Sequence, residues 1–407
     1  MRPVDARPQL RARIPALREL LVAADYRGHD PFDLLNAPVL ARLPTGGPVP
    51  LVISKLGARV APDALRTLLR VAPIEDPKTY CCAYWGYVAL GERAQAETML
   101  DRLAAIACHT ADGAHWGYDY RWPTRSGGVN PRGASALVPG AFAMLALVDG
   151  VVALGGDRHR AVLRDAVGYY SARHRCAAGP FLGYFPSSRS VTHNANALGC
   201  AALGLGALAL GNPEPARIAA EAVEPTVAAV RRDGYLPYGD HPSAAWTDCF
   251  HHLYVIAALS AIVETNHRVD RERCQAAIDR LKGYWQAHFV RDDGLLNYYP
   301  DRLHPIDPHN YAVTAIYLTV FGDEQERVMG RALLGRVDEL AWDARRGAYV
   351  HRIHRRRRDR RLFLRWTQAW MFTALALATA EDPFAAHRPR YAALARTAGG
   401  AAGESWR

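Results

Sequence analysis

Apolar positions fall into two kinds of helical segment that alternate along the chain. One kind is amphipathic and charged, as in Arg217–Arg232 and Arg271–Arg291. The other is built of small and apolar residues almost throughout: Ala134–Val152, Asn194–Leu210, Ser243–Val263, Asn310–Phe321 and Leu364–Ala380. A helix that is apolar all round is buried on every side, whereas one with a charged face borders solvent. The alternation therefore predicts two layers, with the apolar set inside. Turns rich in Gly and Tyr stand between them at Asp112–Tyr120, Gly179–Pro186, Asp233–Gly239, Asp293–Pro300 and Arg346–Val350, roughly 55–65 residues apart, a spacing suited to two-helix units.

Upstream, Gln9–Ala24 reads as a surface helix, Tyr26–Asn36 as a turn-rich link and Leu51–Val71 as helical despite Pro62. Asp76–Leu90 restarts with Pro77 in its first turn, and Tyr80, Tyr84 and Tyr87 form a core stripe. Five hairpins and an N-terminal pair make about six. The expectation is an all-α, (α/α)6-type toroid in a single domain, with 1–50 as lead-in, 51–385 as the toroid and 386–407 as a weakly ordered tail. An open solenoid of the same hairpins is the alternative. Closure is favoured because polar residues recur at corresponding ends of the inner helices.

Those ends hold the candidate chemistry. They carry Arg132 and Ser135; His193, Asn194 and Asn196; Trp246, Asp248, His251 and His252; Asp307, His309 and Asn310; and Arg365, Trp366, Gln368 and Trp370. In a closed ring the inner-helix N-termini emerge on one face, so these groups would converge on a central pit and add free amide donors to it. Asp248 precedes His251 by three residues and His252 by four, which places them on one helical face. Thr192, Asn194 and Asp307 are also ordinary capping residues. Trp116, Tyr118, Tyr184, Tyr238 and Tyr298 would rim the pit, and rings beside amides and charges suit sugars.

Composition narrows the partners. The 407 residues are 50% hydrophobic and 22% charged, with a net charge of +10. Only Lys55, Lys78 and Lys282 are lysines, so 50 − 3 = 47 basic residues are arginines. The surplus is read as a basic mouth for an anionic small molecule or oligosaccharide rather than as a nucleic-acid surface. Seven scattered cysteines without a C-x-x-C pair argue against a zinc knuckle or disulfide framework and fit reduced thiols in the cytoplasm. The N-terminus lacks the apolar core of a secretion signal, and Ala134–Gly156, interrupted by Asp149, is read as falling short of a membrane span. The run Arg352–Arg361 reads as a solvated charged loop or as a contact for an anionic glycan or phosphate.

The ordered motifs Gly113–Trp122, Thr192–Asn196, Pro237–His251, Pro305–His309 and Arg365–Phe372 resemble a bacterial family of (α/α)-toroid proteins encoded with polysaccharide and natural-product glycan genes. The likeness spans roughly residues 20–380 and extends in architecture to six-hairpin glycosidases. Some members carry a delta-aminolevulinate dehydratase label, an activity that belongs to a different fold. Where the family pattern has a Phe-Asp-Trp-Gln-like run, this chain has Tyr118-Asp119-Tyr120-Arg121, which keeps the carboxylate.

The resemblance implies a carbohydrate-active enzyme on a uronate-containing glycan. In hydrolysis Asp119 and Asp248 would serve as acid and base. In β-elimination or C5 epimerisation His251 or His193 would abstract the proton, Tyr238 would assist, and Arg365, Arg132 and Asn194 would neutralise the carboxylate. Trp116, Asn196, Trp246, His309, Asn310, Trp366, Gln368 and Trp370 complete the expected substrate contacts. No cofactor is expected, although Asp248, His251 and His252 with His193 have the chemistry of metal ligands. The alternatives are a non-catalytic glycan-binding protein and a cyclase-like toroid for an isoprenoid, the latter lacking D-x-D-D and D-D-x-x-D motifs.

Overall fold

The computed structural model describes residues 6–40, 47–60, 63–123, 128–155 and 157–382. Its helices are α1 (Arg7–Arg11), α2 (Ile14–Ala23), α3 (Pro48–Val60), α4 (Asp63–Leu68), α5 (Pro77–Ala89), α6 (Arg93–Ala105), α7 (Leu137–Leu154), α8 (Asp157–Arg173), α9 (His193–Leu210), α10 (Glu214–Ala229), α11 (Cys249–Thr265), α12 (Arg271–His288), α13 (Pro308–Phe321), α14 (Glu324–Ala341) and α15 (Ala369–Thr379), with a π turn at Leu364–Gln368 before the last. Four two-stranded ribbons decorate the loops: β1 (Cys108–Thr110) with β2 (Gly113–His115), β3 (Trp122–Pro123) with β4 (Val129–Asn130), β5 (Trp342–Asp343) with β6 (Ala348–Tyr349), and β7 (Arg352–Ile353) with β8 (Arg358–Asp359).

The apolar helices α5, α7, α9, α11, α13 and α15 pack side by side in that order, and α15 returns to α5. The ring is closed, and the fold is an (α/α)6 toroid. Outside it, α6, α8, α10, α12 and α14 each back the inner helix that precedes them. The sixth outer position is filled from the N-terminus, because α1 and α2 pack on α15 and α1 also meets α14. Leu10, Ile14, Leu17 and Leu21 drive this docking by burying one helical stripe. The first helices of the lead-in thus pack directly against the ring. The expected tail, 386–407, lies outside the described residues.

Two further expectations change. The fourth inner helix opens at Cys249 rather than near Ser243, because Pro242–Ala244 forms a short 3-10 turn and Asp248 takes the capping position. Helix α7 is long and apolar enough to cross a membrane by length and composition alone; 83% of its apolar window is buried inside the protein, as its place in the inner ring requires.

Tight approach of the layers depends on glycine at α7. A Cβ at Gly140 would lie 2.0 Å from the Tyr170 hydroxyl. That hydroxyl accepts from the Trp116 amide at 3.1 Å and faces the carbonyls of Trp116 and Ala136 at 3.1 and 3.3 Å, pinning the loop ahead of α7. Gly140→Ala should cost about 1–3 kcal/mol by overpacking. A urea midpoint unchanged from wild type would contradict this.

Candidate active site

Corresponding positions on the inner helices build one floor. The caps of α5, α7, α9, α11 and α13 are Asp76, Ala136, Thr192, Asp248 and Asp307. Two residues past each cap stand Lys78, Val138, Asn194, Phe250 and His309. One turn further on, at i+4, stand Cys82, Phe142, Leu198, Tyr254 and Val313 on the same faces. On the last inner helix Trp366 and Trp370 fill these places.

Side chains from different helices meet across the axis. Phe142 contacts Tyr254 and Trp370 edge-on, with ring centres 5.7 and 5.6 Å apart. The His309 ring lies 4.6, 5.5 and 4.9 Å from Phe250, Trp366 and Trp370. The Lys78 ammonium stands over the Trp366 and Phe142 rings at 5.2 and 5.7 Å. The axis is therefore closed by aromatics, and the inner-helix N-termini lie on one side of that closure, the side on which the expected bowl would open.

Three carboxylates serve both as helix caps and as partners to a group at the bowl. Asp76 accepts from the Lys78 amide at 2.9 Å and faces Arg365 Nε at 3.2 Å, an ionic contact without hydrogen-bond alignment. Asp307 accepts from the His309 amide at 3.0 Å and from Arg352 Nε at 2.7 Å. Asp248 accepts from the His251 amide at 3.0 Å, and each of its oxygens lies 2.9 Å from His251 Nδ1. Asp30 also receives Arg365 Nε at 2.7 Å and Trp366 Nε1 at 3.1 Å.

The walls are aromatic. Tyr238 stacks on Trp246 with ring centres 4.4 Å apart and presents its ring edgewise to His251 at 4.8 Å. Tyr118 and Tyr184 share a hydroxyl contact of 2.6 Å, and Arg352 donates to the Tyr298 hydroxyl at 3.0 Å. Tyr120 and Tyr118 attend Arg365.

Burial sets the protonation of the floor. His309 is held well below the ordinary histidine range, first by burial and then by Lys78 and other cationic neighbours, and so stays neutral. Its Nε2 lies 3.1 Å from the Tyr254 hydroxyl. Burial likewise raises the Tyr254 phenol. His309 Nδ1, Asn194 Oδ1 and Trp370 Nε1 are buried and have no hydrogen-bond partner among the described residues. Such atoms are expected to be satisfied by a ligand or by water.

Other expected site residues are used elsewhere. Asp119 is held by Arg132, whose side chain is 64% exposed, and its carbonyl takes the Asn36 amide. His193 Nδ1 reaches Thr226 on the outer α10 at 3.2 Å, and Asn196 binds Ala222, Thr226 and Leu182. Gln368 closes on the Tyr349 backbone in both directions, and Trp116 Nε1 donates to the Leu103 carbonyl. His252 points outward to the Leu281 carbonyl at 2.9 Å. Asn310 is buried with both amide atoms unpartnered among the described residues. No His/Cys/Asp/Glu group with metal-binding geometry occurs among the described residues.

Three residues here lie outside the expected set, Asp30, Asp76 and Lys78, and a fourth, Arg352, opens the basic run read as a solvated loop or a ligand contact. A signal for two of them exists, since Asp76-Pro77-Lys78 repeats the pattern of Asp307-Pro308-His309. Arg352 sits at the base of the basic hairpin, whose tip exposes Arg355, Arg356, Arg357 and Arg358.

No family model and no curated protein sequence matches the chain. Solved structures do. The cellobiose 2-epimerase from Bacillus thermoamylovorans B4167 is 13% identical, with a TM-score of 0.58 over 77% of this chain and 90% of its own. A D-mannose isomerase is 11% identical, with a TM-score of 0.55 over 93% and 99%. An unsaturated glucuronyl hydrolase specific for heparin is 14% identical, with a TM-score of 0.54 over 76% and 87%. At such identities the likeness is one of fold, and what this chain shares with these proteins is the (α/α)6 toroid.

Proposed function

We propose that the bowl binds a reducing sugar in its open-chain form and moves a proton at the carbon beside the carbonyl, which is isomerase or epimerase chemistry. The observation that carries this reading is the Asp248–His251 dyad at the edge of the aromatic floor. With Nδ1 held against the carboxylate, the ring keeps the tautomer that leaves Nε2 as the proton acceptor. His309, neutral and joined to the Tyr254 hydroxyl, is the second proton carrier. Asn194 Oδ1 and Trp370 Nε1, buried and without a hydrogen-bond partner among the described residues, are the groups left to bond sugar hydroxyls.

Hydrolysis is less well supported. It asks for two carboxyl groups across the bond, one of them protonated. Asp248 is engaged by its histidine and its helix, and Asp119 is engaged by Arg132. A neutral sugar is favoured over a uronate because Arg365 and Arg352 each already face carboxylates. The epimerase and isomerase among the structural neighbours agree with this choice.

A second reading, elimination from a uronate by the same His251, is favoured by the exposed arginine tip Arg355–Arg358 and by the glucuronyl hydrolase neighbour. Incubation with aldoses, ketoses, reducing disaccharides and uronate oligosaccharides separates the readings. A new ketose or C2 epimer is expected. New reducing ends would indicate hydrolysis, and an ultraviolet-absorbing unsaturated product would indicate elimination; either result would displace the isomerase reading.

A further inference from the structure

Lys78 is the one lysine at the floor. Lys55 is exposed, and the Lys282 side chain is 34% exposed beside Glu326. Lys78 is 4% exposed, and its Nζ has no hydrogen-bond or ion-pair partner among the described residues, since Asp30 and Asp76 are directed to Arg365. Its neighbours are instead the faces of Trp366 and Phe142. A lysine kept only for charge would be expected to contact an anion. One desolvated between rings and set beside a second cation has the surroundings of an amine nucleophile.

We infer that Lys78 captures the sugar carbonyl as an imine, so that the electron pair released at the adjacent carbon flows into a C=N bond. The inference rests on the sugar-carbonyl reading above and adds a covalent step to it. The Lys78 ammonium first gives one proton to water, and the protons that the oxygen needs return the same way. Its nitrogen then attacks the carbonyl carbon, forming C–N while the carbonyl π electrons move to oxygen. A second proton leaves nitrogen, and with both protons delivered the oxygen departs as water, leaving a protonated imine. In sum, ammonium and carbonyl give iminium and water, with charge conserved. His251 Nε2 then removes the neighbouring C–H proton to form an enamine. Return of a proton followed by hydrolysis releases the product. Burial, and after it the Arg365 charge, lowers Lys78 to about 8. At pH 7 that leaves on the order of a hundredfold more free amine than an ordinary lysine has.

The test is reductive trapping. The full-length protein is incubated with D-glucose, D-mannose or D-fructose and sodium cyanoborohydride, and the adducts are mapped by peptide mass spectrometry. With only three lysines in the chain, the assignment is direct. The expected result is one hexosyl adduct on Lys78, formed on the order of a hundredfold faster than on Lys55, with a rate that rises to a midpoint near pH 8. The adduct should be absent in Lys78→Arg and retained in His251→Ala. Mapping the wild-type protein keeps the test independent of how the variants fold. Proton exchange on a sugar without a Lys78 adduct would overturn this inference and leave the isomerase reading standing. A Lys78 adduct without proton exchange would support the inference and count against that reading. Adducts confined to Lys55 and Lys282 would overturn it.

Discussion

Asp248→Asn is expected to lower proton transfer by about 10³–10⁴-fold while leaving the fold nearly unchanged. Asparagine caps a helix about as well as aspartate, so the bond to the His251 amide survives and the stability change stays within a few tenths of a kcal/mol. The proposed proton-transfer arrangement does not survive. The carboxylate offers only acceptors to His251 Nδ1, whereas the amide can turn its NH₂ toward the ring and select the opposite tautomer. Nε2 would then carry the proton it should accept, and loss of the correct tautomer in comparable dyads costs about 10⁴-fold. Turnover and melting temperature measured together check this. A variant retaining a tenth of wild-type turnover would remove Asp248 from the mechanism.

Stability should fall steeply with acid, between pH 6.5 and about 4. Burial pushes His174, His193 and His252 down to about 4. Each is neutral in the native state and hydrogen-bonded there, to Ser135 and Gly183, to Thr226, and to Leu281 respectively. In the unfolded chain each titrates near the ordinary value of about 6.5. Above that pH neither state binds the proton and the full native advantage is present. Below it the unfolded state takes up protons that the native state refuses, so stability is lost as pH falls toward the native value.

The slope is about 1.4 kcal/mol per pH unit per histidine, or about 4 for the three. Over the two pH units down to 4.5 the three together remove about 8 kcal/mol, which is comparable to the stability of an ordinary domain, about 5–15 kcal/mol. Urea midpoints from pH 7.5 to 4.5 test this, and His193→Asn should lower the slope by about 1.4 kcal/mol per pH unit. A midpoint constant across that range would contradict the burial of these groups as neutral imidazoles.

The ring and its layers were legible because a helix hydrophobic on every side has few places to go. The small-residue runs around Leu137–Leu154 and His193–Leu210 could only be inner helices. Asp248, His251, His309, Trp366 and Trp370 lie within a turn or so of an inner-helix start, and closure of the ring brings such positions near one another. What could not be read was direction. A helix start offers an inward and an outward face, and a shift of one residue decides between them. His193 and Asn196 fall on the outward face, while Asn194 falls two residues past its cap beside the floor positions. Asp30 and Arg352 were hidden for another reason. They reach the bowl from loops and pair with residues 335 and 45 positions away, which no local pattern encodes.

Proton transfer itself is open to one direct measurement. Wild-type protein and the His251→Ala variant are incubated in D₂O with D-glucose, D-mannose, D-fructose and cellobiose, and the signal of the hydrogen beside the carbonyl carbon is followed by NMR. Deuterium entering that position of at least one sugar with the wild type, at a rate about 10²–10⁴-fold above the variant's, is the predicted result. Retention of that hydrogen in every sugar, or equal exchange by the two proteins, would contradict an isomerase bowl worked by His251.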